Sequence, residues 1–344
     1  MASHDLLKVI SSPCFLRPNM FTPIFRQILA VFLLSSVLAP LGAIAQDWPN
    51  KPIRLVINFA PGSSPDVLGR AVANPLSQAL GVPVVVENRS GAGGIVGAEV
   101  VAKAPGDGYT LLMASGSTMV VVPTLTPKMP YDHNKALVPV AATARLELFL
   151  VVRSNSGFNS FADLQKFARA NPGKLSYGSP GNGSTPHIGA EMLKNMAGIF
   201  ALHIPYRGSA PALQDLLAGN IDFFMDPGIA APHIRSGTLR LLAVGSTKRS
   251  FLYPETPTLA ELGLKGYDGG STHSFYAPAG TPQPVIDRLN SEINRILVTP
   301  AVTQIIRGLG AEPTPMSPAQ LTALNAADTS RFANIIKQQG IRAE

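Results

Sequence analysis

Short apolar segments alternate with amphipathic ones through most of the sequence, and this alternation constrains the fold more than any other feature. Segments such as residues 51–59 and 239–244, rich in Val, Ile and Leu, are typical of β-strands. Residues 67–80 instead repeat apolar side chains at helical spacing. Strands that alternate with helices predict parallel pairing, because each helix carries the chain back to the same end of the sheet. We therefore expect an α/β protein with mostly parallel sheets covered by helices.

The alternation falls into two runs, one that starts at residue 51 and one that starts at residue 149. No long flexible linker separates them, so we expect two α/β lobes joined by short crossings near residues 144–148 and 270–274. Lobe 1 is predicted to comprise residues 46–145 and 272–344, and lobe 2 residues 146–271. The predicted strands are residues 51–59, 82–87, 109–114, 149–152, 174–178, 203–206, 221–225, 239–244 and 274–277. The main predicted helices are residues 67–80, 161–170, 210–218, 230–236, 282–297 and 318–340.

The first 45 residues differ from the rest of the chain. An apolar run, Ile28 to Ala39, follows Arg26 and leads to the small residues Ala43-Ile44-Ala45. This order is typical of a secretory signal peptide with an A-x-A cleavage site. A membrane span is the alternative, but it needs about 20 apolar residues, more than this run provides. Residues 1–45 are therefore predicted to be a signal peptide, cleaved after Ala45, and the mature protein is expected to be periplasmic.

Removal of this segment would also change the chemistry available to the protein. Cys14 is the only cysteine, so the mature chain would have no disulfide, no thiol nucleophile and no cysteine metal ligand. The segment carries two of the seven net positive charges. The remaining five are dispersed and do not form the basic stripe of a nucleic-acid-binding protein. We expect no nucleic-acid partner, no cofactor and no metal.

Two loops at the predicted carboxyl ends of strands share an unusual composition. Residues 60–66 (APGSSPD) and 179–187 (SPGNGSTPH) each pass from a strand into a helix start. Both are rich in small and hydroxyl residues, whose backbone N–H groups and hydroxyls can hold an anion at a helix N-terminus. The same residue types also cap helices, which is the structural alternative for either loop alone. Two such loops, one in each lobe, favour an anion-binding site between the lobes.

Five stretches carry a specific resemblance to a known family. They are WPNKPIRLVINFAPGSSPDVLGR, VVVENRSGAGGIVGAEVVAKAPGDGYTLLMAS, KLSYGSPGNGSTPHIGAEML, HIPYRGSAPALQDLLAGNIDFFMD and TLRLLAVGSTKRS. The chain resembles the Bug-type (TctC-like) solute-binding proteins of tripartite tricarboxylate transporters over essentially its whole mature length. The resemblance implies a periplasmic-binding-protein-like (type II) Venus flytrap fold. It also implies a small carboxylated ligand held between the two loops and delivered to a membrane permease.

The resemblance transfers ligand-binding roles to individual positions. In the family's first loop, commonly PxGGxxD, Gly62 and Asp66 are retained, whereas Ser63 replaces the second glycine and adds a hydroxyl. That hydroxyl could donate to a ligand or narrow the pocket. The predicted ligand-binding residues are Phe59, Gly62, Ser63, Ser64, Ser115, Ser117, Ser179, Gly183, Ser184, Thr185, His187, Tyr206, Arg207 and Asp226.

Several of these residues have a structural alternative. Asp226 could accept a hydrogen bond from the ligand, or it could cap the turn at Pro227. Arg207 could bind a distal carboxylate or form a salt bridge at the surface or between lobes. Phe59 could pack on the ligand's carbon skeleton or simply end a buried strand. His187 could bind the carboxylate or act as a donor that stabilises its loop.

Other functional classes fit the sequence less well. Neither serine-rich loop has the G-x-S-x-G pattern of a hydrolase nucleophile, and the histidines lack H-x-x-x-H or H-E-x-x-H spacing. Gly91, Gly93 and Gly97 suggest a dinucleotide-binding turn, but Val96 occupies the position of the last glycine of that motif. This segment is therefore predicted to be a tight turn that packs a helix closely on a sheet.

The sequence favours a monomeric, non-enzymatic binding protein. A ligand-sensing adaptor for a membrane sensor kinase is an open alternative, because it would share the fold and the pocket and differ only in its partner. An exported hydrolase is a more remote alternative.

Overall fold

A computed structural model describes residues 48–126 and 128–342, except for the side chain of Gln339. The predicted signal peptide, residues 1–45, lies outside the described residues. None of the helices within the described ranges is long and apolar enough to cross a membrane.

Within these ranges the chain forms ten strands and eleven α-helices. The strands are β1 (Ile53–Ile57), β2 (Val84–Asn88), β3 (Thr110–Ala114), β4 (Leu137–Leu146), β5 (Phe149–Arg153), β6 (Ser176–Ser179), β7 (Leu202–Pro205), β8 (Phe223–Asp226), β9 (Leu239–Val244) and β10 (Ser271–Pro278). The helices are α1 (Ser64–Leu80), α2 (Ile95–Ala102), α3 (Gly116–Val120), α4 (Val122–Leu125), α5 (Phe161–Ala170), α6 (Thr185–Ala197), α7 (Ser209–Ala218), α8 (Ala231–Arg235), α9 (Gln283–Leu297), α10 (Pro300–Gly308) and α11 (Pro318–Gln339). The predicted strands and main helices are confirmed to within a few residues at their ends.

The strands form two five-stranded sheets, in the orders β2-β1-β3-β10-β4 and β7-β6-β8-β5-β9. The chain passes from the first sheet to the second between Leu146 and Phe149, and it returns between Val244 and Ser271. Helices lie between consecutive strands within each run, so the two-lobed α/β prediction is confirmed. The exact lobe boundaries given above stay a prediction.

Both sheets are mixed, and four of the five strands of each sheet run in the same direction, in line with the expectation of mostly parallel sheets. Strand β1 pairs in parallel with β2 and β3, and β6 with β7 and β8. In contrast, β10 is antiparallel to β3 and β4, and β5 is antiparallel to β8 and β9. The reason is connectivity: β5 and β10 each follow a crossing between the sheets with no helix before them to return the chain to the same end.

Two features of the core connect the halves of the molecule. Helix α11 packs against β4 and α3 at the first sheet and against α6 at the second. Its Phe332 and Ile336 belong to the same buried cluster as Leu148, Leu150 and Ile188. This cluster buries apolar surface from both halves, and that burial stabilises them as a unit.

Candidate ligand-binding site

A small cavity lies between the two halves of the molecule, at the starts of helices α1 and α6. The centre of a water molecule can move within about 10 Å³ of this cavity, so the cavity holds about one water molecule. The lobes are therefore closed on each other at this point. The lining residues are Phe59, Ser64, Pro65, Ser115, Leu146, Leu148, Pro180, Ser184, Thr185, Pro186, Ser209, Pro227, Ser271 and His273.

The cavity wall is polar but carries no formal charge. Six hydroxyl groups and one imidazole line it, and the other lining residues are proline, leucine and phenylalanine. No Asp, Glu, Lys or Arg belongs to the lining within the described ranges. An anion in this cavity would therefore depend on backbone N–H groups, hydroxyls and helix ends for its stabilisation.

The first loop is held in place by Asp66, in the first turn of α1. One carboxylate oxygen, Oδ2, accepts a hydrogen bond from the backbone N–H of Gly62 at 2.9 Å. The other, Oδ1, accepts from Arg70 Nε at 2.9 Å and Asn88 Nδ2 at 2.8 Å. The N–H of Gly62 is thus engaged within the loop. Gly62 does not line the cavity, and its φ of +77° is a conformation that glycine adopts easily.

Ser63, the residue that departs from the family pattern, makes a contact between the lobes. It is the N-cap of α1, and its Oγ accepts a hydrogen bond from the backbone N–H of Ser209 at 3.1 Å. The next residue, Ser64, lines the cavity and lies with its Oγ 3.1 Å from Nε2 of His273. Phe59 is buried and also lines the cavity.

In the second loop, Ser184 and Thr185 line the cavity at the start of α6. Ser184 caps the helix, with its Oγ accepting from the backbone N–H of His187 at 3.4 Å. Thr185 Oγ1 lies 2.8 Å from Ser271 Oγ, which belongs to the first sheet. This hydroxyl pair is a second direct polar contact between the lobes.

His187 stabilises the second loop from behind the cavity. Its Nδ1 accepts a hydrogen bond from the backbone N–H of Gly183 at 3.1 Å, so His187 acts here as an acceptor, not as the predicted donor. Burial, assisted by the nearby Lys194, lowers the pKa of His187 to about 4. The neutral imidazole then carries its proton on Nε2. The ring stacks on His203, 4.2 Å between centroids.

Ser179 and Ser117 do not line the cavity. Ser179 Oγ lies 2.6 Å from His203 Nε2 and accepts from the N–H of Gly181 at 3.1 Å. Ser117 Oγ lies 3.2 Å from the Oγ of Ser115, which lines the cavity. Ser117 therefore contacts a residue of the wall, whereas Ser179 bonds to residues outside it.

Asp226 caps the turn at Pro227, which is the alternative to ligand binding that the sequence analysis gave for this residue. It is completely buried, and its Oδ2 accepts from the N–H groups of Gly228 at 2.8 Å and Ala230 at 3.0 Å. Burial raises its pKa to about 7, although these hydrogen bonds oppose the increase. Tyr206 donates its hydroxyl to Asp215 Oδ2 at 2.6 Å, and Arg207 is exposed.

The structure thus brings five of the fourteen predicted residues to the cavity: Phe59, Ser64, Ser115, Ser184 and Thr185. The other nine do not line it in this closed conformation: Gly62, Ser63, Ser117, Ser179, Gly183, His187, Tyr206, Arg207 and Asp226. The polar lining residues that the sequence did not reveal are Ser209, Ser271 and His273. Ser271 and His273 lie on β10, where no motif or composition marks them.

The glycine-rich segment at residues 91–97 is a tight turn, as predicted, but it also contacts the other lobe. A side chain on Gly94 would collide with Asn58 and Thr118, both in the same half. A side chain on Gly93 would collide with the backbone carbonyl of Asn182, in the second loop. The described residues contain no group of three His, Cys, Asp or Glu placed to hold a metal ion.

Two α/β lobes closed over a small polar cavity define a two-lobed solute-binding protein of the periplasmic type. Residues 68–341 match the model of the tripartite tricarboxylate transporter family receptor, TctC. The chain therefore belongs to this family, and the resemblance noted in the sequence is confirmed.

Relatives of similar length agree with this assignment. The chain is 38% identical to the UPF0065 protein in the tcbD-tcbE intergenic region of Pseudomonas sp. strain P51, covering 92% of this chain and 95% of the relative. It is 36% identical to Protein BugT of Bordetella pertussis, covering 92% of this chain and 97% of BugT.

Solved structures confirm the type II fold. The R. palustris protein Rpa4515, described with adipate, superposes with a TM-score of 0.83 at 35% identity, covering 86% of this chain and 99% of that one. The periplasmic binding protein BugD gives 0.82 at 32% identity, covering 86% and 100%. MatC of Rhodopseudomonas palustris, described with bound malate, gives 0.80 at 29% identity, covering 84% and 100%.

Proposed function

We propose that this protein is an extracytoplasmic solute-binding protein that captures a small carboxylate in the interlobe cavity. It would then deliver the ligand to a membrane permease of the tripartite tricarboxylate type. One observation carries the proposal: helices α1 and α6 begin at the same cavity from opposite lobes, with Ser64 and Thr185 in its wall. The adipate and malate described with two similar structures support the same ligand class.

The physical chemistry of this arrangement suits a carboxylate. The first N–H groups of a helix have no partner within the helix, and the helix dipole places positive potential there. Each hydrogen bond to a charged group contributes about 1.5–3 kcal/mol, and each helix end adds about 0.3–1 kcal/mol. Four or five such donors can offset the cost of association and leave micromolar affinity. A lysine or arginine in the wall is not required.

The contact between Ser64 and His273 in the cavity resembles that of a hydrolase, the alternative function. Ser64 and His273 have the separation of a nucleophile and its base. However, Nδ1 of His273 has no hydrogen-bond partner among the described residues to orient it, and burial lowers the pKa of this imidazole to about 3. An imidazole with that pKa is a poor proton acceptor at neutral pH. The pair is better suited to hydrogen bonding than to catalysis.

The proposal extends to location and assembly. The signal peptide at residues 1–45 would export the protein to the periplasm, where it would act as a monomer. The alternative partner, a membrane sensor kinase, would use the same closed state. Copurification with a permease favours transport, whereas copurification with a sensor kinase favours the adaptor.

Thermal-shift measurements on residues 46–344 test the ligand class directly. The panel contains mono-, di- and tricarboxylates, aromatic acids and amino acids, with sugars as controls. A ligand present at a hundred times its Kd should add about 2.7 kcal/mol to the free energy of unfolding. Stabilisation by sugars alone, or by no acid, contradicts the proposal.

Replacing both Ser184 and Thr185 by Ala tests the second loop. We expect the affinity for the stabilising acid to fall at least tenfold, because two hydroxyls in the cavity wall are lost. The matched control replaces Ser236 and Thr238 by Ala, since these exposed hydroxyls lie 3.0 Å apart and neither residue lines the cavity. Isothermal titration of both double variants measures the difference. Equal affinities of the two double variants for the acid would show that this loop does not bind the ligand.

A further inference from the structure

His273 is the only ionisable side chain in the cavity wall within the described ranges. It is 2% exposed and lies on β10, 209 residues away from Ser64 in the sequence. Its Nε2 is 3.1 Å from Ser64 Oγ. Its Nδ1 is buried and has no hydrogen-bond partner among the described residues.

Most of the neighbouring hydroxyls are already paired. Thr185 bonds with Ser271, Ser115 bonds with Ser117, and Ser184 accepts from the backbone of its own helix. Of the residues that line the cavity in the described part of the chain, His273 is the one whose side chain carries a buried and unpaired polar atom, Nδ1. A buried polar atom without a partner destabilises the protein, so a ligand in the cavity would gain affinity by supplying one.

The chemistry of that partner follows from the Ser64 contact. Burial keeps the imidazole neutral by lowering its pKa to about 3, so the ring has one N–H and one lone pair. Ser64 is the first residue of α1, where the proposed carboxylate binds. If the Ser64 hydroxyl donates to that carboxylate, Ser64 Oγ accepts from the His273 Nε2–H. Nδ1 then carries the lone pair and requires a donor.

We infer that Nδ1 of His273 accepts a hydrogen bond from a hydroxyl group of the ligand, and that the site selects hydroxycarboxylates over the same acids without the hydroxyl. This inference rests on the proposed function, because it takes a carboxylate at the start of α1 as given. His273 is then a specificity-determining residue, and Ser64 links it to the carboxylate.

Matched pairs of acids that differ only by a hydroxyl provide the test. The pairs are lactate and propionate, malate and succinate, citrate and tricarballylate, and mandelate and phenylacetate. Isothermal titration of the wild-type protein should give at least a tenfold tighter Kd for the hydroxyl-bearing member of the pair that binds. Equal affinities within a binding pair overturn the inference and leave the proposed function standing. Failure of every acid in all four pairs contradicts the proposed function itself.

Two variants separate the roles of the ring nitrogens. In His273→Asn the amide oxygen can take the place of Nδ1 as acceptor, whereas in His273→Gln the longer amide reaches toward Ser64 in place of Nε2. We expect His273→Asn to retain the ratio of the two Kd values within a binding pair and His273→Gln to lose it. If both variants lower the affinities for the two acids of a pair by the same factor, His273 has only a structural role, and the inference is wrong. The wild-type comparison decides the question even if a variant does not fold.

Discussion

The carboxyl group of Asp226 lies at the end of β8, where Oδ2 accepts from two backbone N–H groups and Oδ1 has no donor in the described part of the chain. Its pKa, raised by burial to about 7, is above the ordinary value of 3.8, so the folded state favours the protonated form. The unfolded chain releases this proton at lower pH. The contribution of Asp226 to stability therefore falls as the pH rises from about 4 to about 7.

Asp226→Asn tests this assignment, because the amide keeps an acceptor for the turn but does not ionise. We expect the free energy of unfolding of the variant, relative to wild type, to increase by about 2 kcal/mol between pH 4.5 and pH 7.5. Denaturant titrations at both pH values measure the difference. If the difference in unfolding free energy between variant and wild type does not change with pH, the Asp226 carboxyl ionises normally. If the variant loses much of its ligand affinity, Asp226 belongs to the binding site.

His187 should show the opposite pH dependence. Burial lowers its pKa from 6.5 to about 4, so its neutral form stabilises the folded state above about pH 6.5. This contribution is lost as the pH falls from 6.5 toward 4, because the unfolded chain takes up the proton first. Wild type should therefore lose about 2 kcal/mol more than His187→Asn between pH 7 and pH 4.5. Denaturation curves that shift in parallel for the two proteins would contradict this.

Sequence composition predicted the loops of the site better than it predicted the single residues in it. Ser184 and Thr185 could be predicted, because a helix start rich in hydroxyls is visible locally. His273 could not, since its relation to Ser64 depends on the pairing of β10 with β3. Asp66 is a different case, because its carboxylate accepts from the N–H of Gly62 only four residues away, although the resemblance assigned Gly62 to the ligand.

At the scale of elements, the turn at residues 91–97 controls how closely the lobes approach. Gly93 has a φ of +62°, and a side chain there would meet the carbonyl of Asn182 in the second loop. Gly93→Ala should therefore disfavour the closed state and weaken ligand binding at least tenfold, as measured by isothermal titration. This loss follows because binding depends on the population of the closed conformation.

Gly157→Ala is the matched control for that variant. Gly157 also has a positive φ, +85°, but a side chain there would meet nothing within 4 Å. Both substitutions place alanine in a left-handed conformation at a similar cost of about 1 kcal/mol. They differ in the contacts of the added methyl group, which at Gly93 would meet the Asn182 carbonyl of the other lobe and Val122 Cγ2 at 3.2 Å. If both variants bind ligand equally well, the contact at Gly93 does not limit closure.

Strand β4 shows why some elements escaped prediction. It is an edge strand of ten residues, LVPVAATARL, in which alanines replace the usual β-branched alternation and Pro139 interrupts the pattern. An edge strand tolerates proline, but the sequence does not reveal that β4 lies at an edge. Local patterns were sufficient for the strand–loop–helix units. They were insufficient for strands whose direction depends on the crossings, which is why the sheets are mixed.

At the scale of the molecule, charged side chains tie the two crossings to helix α11. Arg331 donates to the carbonyl oxygens of Asp268 at 2.7 Å and Gly270 at 3.0 Å, and Arg145 pairs with Asp268 at 2.8 Å. Arg331 is only 25% exposed. These bonds hold the chain where it returns from the second sheet to the first.

Arg331→Met should lower the free energy of unfolding by about 2 kcal/mol, because it removes the Arg331 donor from two partly buried carbonyls and from the Asp328 carboxylate. Arg295→Met is the control. Its guanidinium pairs with Glu292 at 2.7 Å but is 62% exposed, so its removal should cost less than about 1 kcal/mol. Chemical denaturation of both variants gives the comparison. Similar losses would mean that the crossing does not depend on Arg331.

The buried cluster that joins Phe332 and Ile336 to Leu148 and Ile188 has a consequence for inheritance. A lobe of this protein is not an interchangeable module, because part of its core is supplied by a helix encoded at the far end of the gene. Recombination between two relatives at the crossings would place α11 of one parent against core residues of the other parent, to which its side chains are not fitted. Ligand specificity in such a protein is expected to change mainly by substitution within the cavity wall, and seldom by exchange of a whole lobe.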